Sequence, residues 1–295
     1  MLEFKNIEID DADIFKKYIN NEGELSCENT FTNLLIWQSA YDNMMAVYDD
    51  ILFIKSGKGD EEIFALPFGK NLSRGMEILK EYCGGKMPTL WVSEGAQFDS
   101  FLKLYGGQYE ISEVRENFDY IYNTEDLSEL SGKKYHGKRN HISAFSKKYD
   151  WKYIKLNSEN IERVKMCSDE WYFENGFRED FEMHHEKRGI EVILDNIDTL
   201  GIKGGAIEVE GKVVAFTLGT PINKKIFNVH IEKALGEFGG AYTLINREFV
   251  KNELAEYELV NREDDLGLEG LRKAKLSYKP CILLKKFVCT PKESL

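Results

Sequence analysis

Apolar positions along the chain follow two rhythms, one helical and one alternating. Over 29–41, NTFTNLLIWQSAY, Phe31, Leu34, Leu35 and Gln38 recur at helical spacing, with Asn29 or Thr30 placed to cap the first turn. Strand-like runs follow at 44–48, 51–55 and 62–68, separated by turns at Asp49-Asp50 and 57–60. The spacing then predicts a helix over 73–83, a strand over 89–93, a helix over 97–105 ending at Gly106-Gly107, and strands near 109–114 and 118–122.

The second half begins with a strand at 151–156 and helices near 159–175 and 180–197. The strongest sheet signal comes next: GGAIEVE (204–210), a turn at Gly211, KVVAFTLGT (212–220) and KIFNVHIEKA (225–234). The first two runs predict a tight hairpin, and the third extends it as a meander. A glycine-bearing turn (236–240) leads into a helix over 241–254, a strand at 257–261, a short helix at 267–275 and one apolar strand at 281–289. Each half thus offers helix, antiparallel strands, helix, strand, helix, strand. The reading is an α+β chain of two similar modules, 1–126 and 127–295, with the active cleft in the second.

Composition narrows the function classes. The 295 residues carry 39 Lys+Arg against 51 Asp+Glu, a net charge of −12, and 42% are hydrophobic. That apolar content excludes a disordered chain, and the acidic total argues against duplex DNA as a partner. Five scattered cysteines, never spaced Cys-x-x-Cys, give no disulfide framework and no metal site. The acidic start lacks the order of a signal peptide, and no apolar stretch approaches the ~20 residues needed to cross a bilayer. The expected location is the cytoplasm.

Three segments carry candidate chemistry. Residues 132–148 hold six Lys and Arg and no acid, which leaves −18 on the remainder. On a helical wheel Tyr135, Ile142, Phe145 and Tyr149 share one stripe, with Lys138 inside it and Arg139 beside it. A cation on a core-facing stripe needs a carboxylate, a ligand or a route to water. Lys138, Arg139 and His141 are therefore read as a floor for a phosphate or carboxylate, while Lys133, Lys147 and Lys148 suit a solvated face. Gly137 is a poor helix-interior residue, so the helix is expected to start after it. In the second segment, Asn228, His230 and Glu232 alternate onto one face of their strand, either lining a cleft or facing solvent. His230 beside Glu232 would serve as an acid–base pair. The glycine loop behind that strand, with Gly236, Gly239 and Gly240, opens a helix N-terminus of the kind that attracts anions. In the third segment, Asp265, Glu269 and Arg272 lie at i, i+4, i+7 and are placed to ion-pair among themselves.

Taken together, SCENTFTNLLIW (26–37), KKYHGKRNHISAF (133–145), KVVAFTLG (212–219), HIEKA (230–234), GGAYTLIN (239–246) and NREDDLGLEGLRKAKLSYKP (261–280) resemble one bacterial family. It is the family of the C-terminal domain of phosphatidylglycerol lysyltransferase, in its stand-alone branch. The resemblance runs from about 26 to 288. It implies a tandem duplication of GNAT (N-acetyltransferase)-like modules with mixed, mostly antiparallel central sheets, related to Fem-type aminoacyltransferases.

The resemblance also implies a transferase that takes an amino acid from an aminoacyl-tRNA and delivers it to a small-molecule, peptide or lipid head-group acceptor. Asp265, Glu269 and Arg272, with Lys275 beside them, would hold the charges of the amino acid, and Lys138-Arg139 would face the tRNA acceptor end or an anionic acceptor. His230 or Glu232 is then the candidate base and Tyr278 or Tyr242 the candidate proton donor. The loop at 236–241 lacks the Gln/Arg-x-x-Gly-x-Gly/Ala pattern by which N-acetyltransferases hold the coenzyme A pyrophosphate, and Glu237 adds a negative charge there. Coenzyme A therefore ranks below aminoacyl-tRNA as donor. An acyl-coenzyme A N-acetyltransferase and a non-catalytic ligand-binding protein on the same fold are the alternatives.

Overall fold

The computed structural model describes residues 2–19, 23–176 and 181–292. Its strands are β1 (Lys5–Asn6), β2 (Met44–Tyr48), β3 (Ile51–Ser56), β4 (Ile63–Phe64), β5 (Leu90–Ser93), β6 (Tyr109–Glu113) and β7 (Asp119–Asn123). Then come β8 (Trp151–Lys155), β9 (Lys203–Val209), β10 (Lys212–Pro221), β11 (Ile226–Ala234), β12 (Leu259–Asn261), β13 (Ile282–Leu284) and β14 (Lys286–Pro291). The helices of the first half are α1 (Ala12–Ile19), α2 (Phe31–Ile36), α3 (Gln38–Tyr41), α4 (Leu72–Tyr82), α5 (Ala96–Tyr105) and α6 (Thr124–Glu129). Those of the second half are α7 (His136–Lys148), α8 (Ile161–Glu174), α9 (Phe181–Asp195), α10 (Ala241–Glu253) and α11 (Glu269–Leu276). The expected first residue of α9, at 180, lies outside the described residues.

These elements build two seven-stranded sheets, ordered β1-β2-β3-β4-β5-β14-β6 and β13-β7-β12-β11-β10-β9-β8. One neighbour pair in each is parallel, β4 with β5 and β11 with β12, and the rest are antiparallel. The chain is α+β, a pair of mixed, mostly antiparallel sheets with helices packed on them. The sheets exchange strands across a boundary drawn at 127: β7 precedes it yet joins the second sheet, and β14 follows it yet lies between β5 and β6.

Local chemistry accounts for the departures from the predicted elements. The apolar run 281–289 is two strands, because residues 282–284 pair with β7 and 286–289 with β5, with the crossing at Lys285. The run 62–68 shrinks to β4, since Pro67 offers no N–H to a ladder. The helix over 29–41 breaks at Trp37 into α2 and α3, and the Thr30 hydroxyl accepts from Asn33 N at the start. Helix α7 begins at His136 and contains Gly137, whose missing side chain faces open space. The β9–β10 hairpin turns on Glu210 and Gly211, both at positive φ (50° and 86°), the geometry that matches strand twist.

Helices cover both faces of the second sheet. Helices α6, α7 and α10 bury Phe145, Leu244, Phe249 and Val250 against one side, while α8 and α9 bury Val164, Ile190 and Ile193 on the other. Helix α2 joins that second side through Leu35 and Ile36, so a segment from the first module is packed into the core of the second.

The register of β11 creates the opening that matters. Its residues 226–228 pair with β12, but β12 ends at Asn261, and residues 229–234 run on beyond it. The gap beside them is filled by the loop after β12 and by the cleft described next.

Candidate functional site

A cleft of about 1440 Å³ lies between the modules. Its walls come from β11, α7, the start of α10, the loop after β12 and the first-module residues Glu28, Trp37 and Trp91. The polar face of β11 is covered rather than open to solvent: His230, whose side chain keeps only 1% of its exposure, and Glu232 line the cleft, while Asn228 is fully buried and does not reach it.

Both candidate bases on that strand are already engaged. His230 Nδ1 lies 3.0 Å from Glu263 Oε1 and 2.9 Å from Asn228 Nδ2, and its Nε2 lies 2.8 Å from the Thr220 hydroxyl. Either tautomer leaves both ring nitrogens occupied. Glu232 accepts from Arg262 Nη2 at 2.7 Å on one oxygen and from Asn246 Nδ2 at 3.0 Å on the other.

Arg262 and Lys138 converge on one aromatic ring. The guanidinium carbon of Arg262 sits 4.8 Å from the Tyr278 ring centre, and Lys138 Nζ sits 3.7 Å from it. Arg262 Nη1 is buried with no hydrogen-bond partner among the described residues. Burial, and then the Arg262 charge, push the Lys138 amine down to about 8. His141, one turn on, lines the same cleft. Gly240 allows this approach, since a side chain there would meet the His141 carbonyl oxygen at 2.8 Å and its φ is +99°. Tyr242, in the first turn of α10, accepts from Trp171 Nε1 at 2.9 Å and lines the cleft beside Tyr278.

The loop after β12 continues the lining from Arg262 to Asp264. Lys275 spends its charge on backbone oxygens, donating to that of Arg262 at 2.5 Å and to that of Asp264. Burial lowers the pKa of this lysine. Burial also raises Asp264 to about 7, against the pull of Lys286 and Lys275.

Five predicted substrate-binding residues do not line this space, Asn228 and the four described next. Asp265 is fully buried and receives Arg272 through Nε and Nη2, both at 2.8 Å, with Arg115 at 3.2 Å and the Tyr120 hydroxyl at 2.5 Å. Burial pushes the Asp265 carboxyl up, but the hydrogen bonds from Arg272 and Tyr120 outweigh it and hold its pKa well below the carboxylate range. Asp265 and Arg272 therefore pair with each other, as their spacing allowed, and brace the loop. Glu269 does not join them; it pairs with Lys273 at 2.6 Å on the surface. Arg139 donates to the carbonyl oxygens of Leu130 and Gly132 at 2.5 and 2.8 Å, so its charge is used before any phosphate arrives.

Of the glycine loop, Gly240 lines the cleft and Gly236 and Gly239 do not. The Gly236 N–H, placed where a pyrophosphate would seek a donor, is taken by Glu174 Oε2 at 3.2 Å. Among the described residues, no three His, Cys, Asp or Glu side chains are grouped so as to hold a metal ion.

The sequence pattern does not single out Arg262, Glu263 and Asp264. They stand within 261–280, one to three positions before Asp265, but no periodicity separates the side that meets the cleft from the side that meets Arg272.

Residues 22–290 match the family described as phosphatidylglycerol lysyltransferase, C-terminal. The chain belongs to that family. A conserved protein of unknown function from Bacteroides thetaiotaomicron superposes with a TM-score of 0.91 at 34% identity, covering 99% of this chain and 100% of that one. L-PGS from Bacillus licheniformis shares the fold at a TM-score of 0.67 and 15% identity, over 99% and 94% of the two chains. FemX shares it at 0.59 and 8% identity, over 97% and 96%. An uncharacterised protein of Mycoplasmoides gallisepticum is 25% identical over 185 residues, which is 61% of this chain and 59% of that curated relative. No helix among the described residues is long and apolar enough to cross a membrane.

Proposed function

We propose that this chain is an aminoacyltransferase, taking an amino acid from an aminoacyl-tRNA and delivering it to an amine or hydroxyl acceptor by direct attack on the ester carbonyl. The observation that carries the reading is the Arg262–Tyr278–Lys138 assembly on the cleft wall. It sets a buried guanidinium with an unpartnered N–H beside an amine whose charge is easily lost. Such a pair suits a reaction in which negative charge develops on a carbonyl oxygen in a confined site. Family membership supports the same reaction class.

Carboxylates shape the rest of the cleft. Glu28, Glu186, Glu232, Glu263 and Asp264 all line it, which suits the ammonium group of an amino acid better than an acetyl group. The choice of aminoacyl-tRNA over coenzyme A rests on the glycine loop, where the Glu174 carboxylate already occupies the Gly236 N–H and Glu237 adds a second negative charge. Lys138 and His141, on the cleft side of the basic helix, would meet the acceptor end of the tRNA.

The test incubates purified protein with tRNA charged by radiolabelled amino acids and a panel of acceptors: glycerol 3-phosphate, dipeptides and phosphatidylglycerol vesicles. Label should move to at least one acceptor, and calorimetry with acetyl-coenzyme A should show no binding at millimolar ligand. Absence of transfer together with heat from acetyl-coenzyme A overturns the reading.

A further inference from the structure

Glu263 is held more tightly than any function as a surface carboxylate explains. One of its oxygens, Oε1, collects three donors: Asn33 Nδ2 at 3.2 Å, Asn228 Nδ2 at 2.8 Å and the His230 ring at 3.0 Å. These arrive from α2 of the first module and from β11 of the second, so both modules fix one atom. Its backbone is pinned as well. The Glu263 N–H donates to Asn261 Oδ1 at 2.7 Å, and its carbonyl oxygen accepts from Tyr120 N at 3.0 Å. That backbone stands at φ 57°, a left-handed conformation that a residue with a Cβ adopts only where its surroundings hold it there.

The second oxygen is treated differently. Oε2 has no hydrogen-bond partner among the described residues, although the side chain lines the cleft and is only 17% exposed. The two candidate bases on the neighbouring strand are spent: Glu232 has both oxygens bonded, and His230 has both nitrogens engaged. A strained, three-point anchor on one oxygen with the other left open is the arrangement a proton acceptor needs, because it fixes the direction of the free lone pair without neutralising it.

We infer that Glu263 is the general base of this site, with Oε2 taking the proton of the acceptor, and that Asn33, Asn228 and His230 are its positioning residues. The inference rests on the aminoacyl-transfer reading. As the acceptor nitrogen or oxygen bonds to the ester carbonyl carbon, its proton passes to Glu263. As the ester C–O bond breaks, that proton returns to the ribose oxygen of the leaving tRNA, so no external acid or base is consumed.

The decisive comparison is wild type against Glu263→Gln, which keeps the shape and an acceptor for the three donors but removes the base. Transfer from charged tRNA to the best acceptor of the panel is followed at saturating and at limiting substrate. Binding of an amide-linked, non-transferable aminoacyl-tRNA and the thermal melt are measured alongside. The expected result is a fall in kcat of about 10²–10⁴-fold, with KM, analogue binding and melting close to wild type. His230→Gln should lower kcat less, again with KM and analogue binding kept. If wild type transfers and Glu263→Gln stays within about threefold in kcat, the assignment of Glu263 fails while the transferase reading stands. If the loss of rate is matched by loss of analogue binding, Glu263 is structural and the inference fails. A wild type inactive on every donor and acceptor removes both.

Discussion

Lys286 of β14 forms an ion pair with Asp119 of β7, Nζ to Oδ1 at 2.7 Å, and neither side chain has any exposed surface. One residue belongs to the first sheet and the other to the second, so this ion pair sits where the two modules exchange strands. Glu28 at 3.2 Å and Cys27 Sγ at 3.3 Å complete the shell around the ammonium, and Asn261 donates to the Asp119 carboxylate at 2.8 Å.

Removing one partner leaves a buried charge uncompensated. Lys286→Met should cost about 3–5 kcal/mol in urea unfolding, and adding Asp119→Asn to it should recover part of the loss. A single-variant loss below about 1 kcal/mol would show that the pair is not what joins the sheets.

Arg272 is predicted to matter for stability and not for the cleft. Arg272→Ala strips two hydrogen bonds from a fully buried carboxylate, which should cost about 2 kcal/mol. Binding of the amide-linked aminoacyl-tRNA should be unchanged at a temperature where the variant is folded. A variant that keeps its melting point and loses the analogue reverses this assignment.

Lys138 should make stability depend on alkaline pH in a defined direction. Its amine loses its proton near pH 8 in the folded chain and near 10.5 when unfolded. Between those values the unfolded state binds more protons, so stability rises with pH through that window. Lys138→Met removes the group, and the wild-type-minus-variant difference in unfolding free energy should climb from pH 8 to pH 10. A flat difference would mean that the amine titrates at the ordinary lysine value.

Gly240 should not tolerate a side chain. Its φ of +99° disfavours any residue with a Cβ, and an added Cβ would lie 2.8 Å from the His141 carbonyl oxygen. Gly240→Ala is expected to cost about 1–2 kcal/mol and to push α7 outward, moving Lys138 off Tyr278. The displaced lysine should titrate closer to 10.5, a shift that ¹³C-lysine NMR would detect. An unchanged titration would place the support of Lys138 elsewhere.

Patterns that depend on neighbours along the chain are legible in the amino-acid sequence. The β9–β10–β11 meander declares itself through alternation and through Gly211, and the same alternation puts Asn228, His230 and Glu232 on one face. Helix α6 leaves no such mark, because it is short and its apolar positions are few, whereas α1 is legible in Ile14, Phe15, Tyr18 and Ile19 at helical spacing though absent from the predicted elements. The run 281–289 is apolar at most positions, and nothing in it marks the change of sheet at Lys285 except two lysines whose partners lie far earlier in the chain. Glu263 is hidden for a similar reason. Its meaning depends on a left-handed turn after a three-residue strand and on Asn33, which precedes it by 230 positions. Asp265 and Arg272 show the converse: their spacing reveals that they can meet, but not that they meet under the loop instead of within the cleft.

The exchange of β7 and β14 also bears on the order in which this chain can assemble during synthesis. The first sheet lacks the strand between β5 and β6 until residues 286–291 have left the ribosome, so the module made first is the one completed last. The facing edges of β5 and β6 stay unpaired through translation of more than half the chain, and that sheet closes only after residues 286–291 emerge.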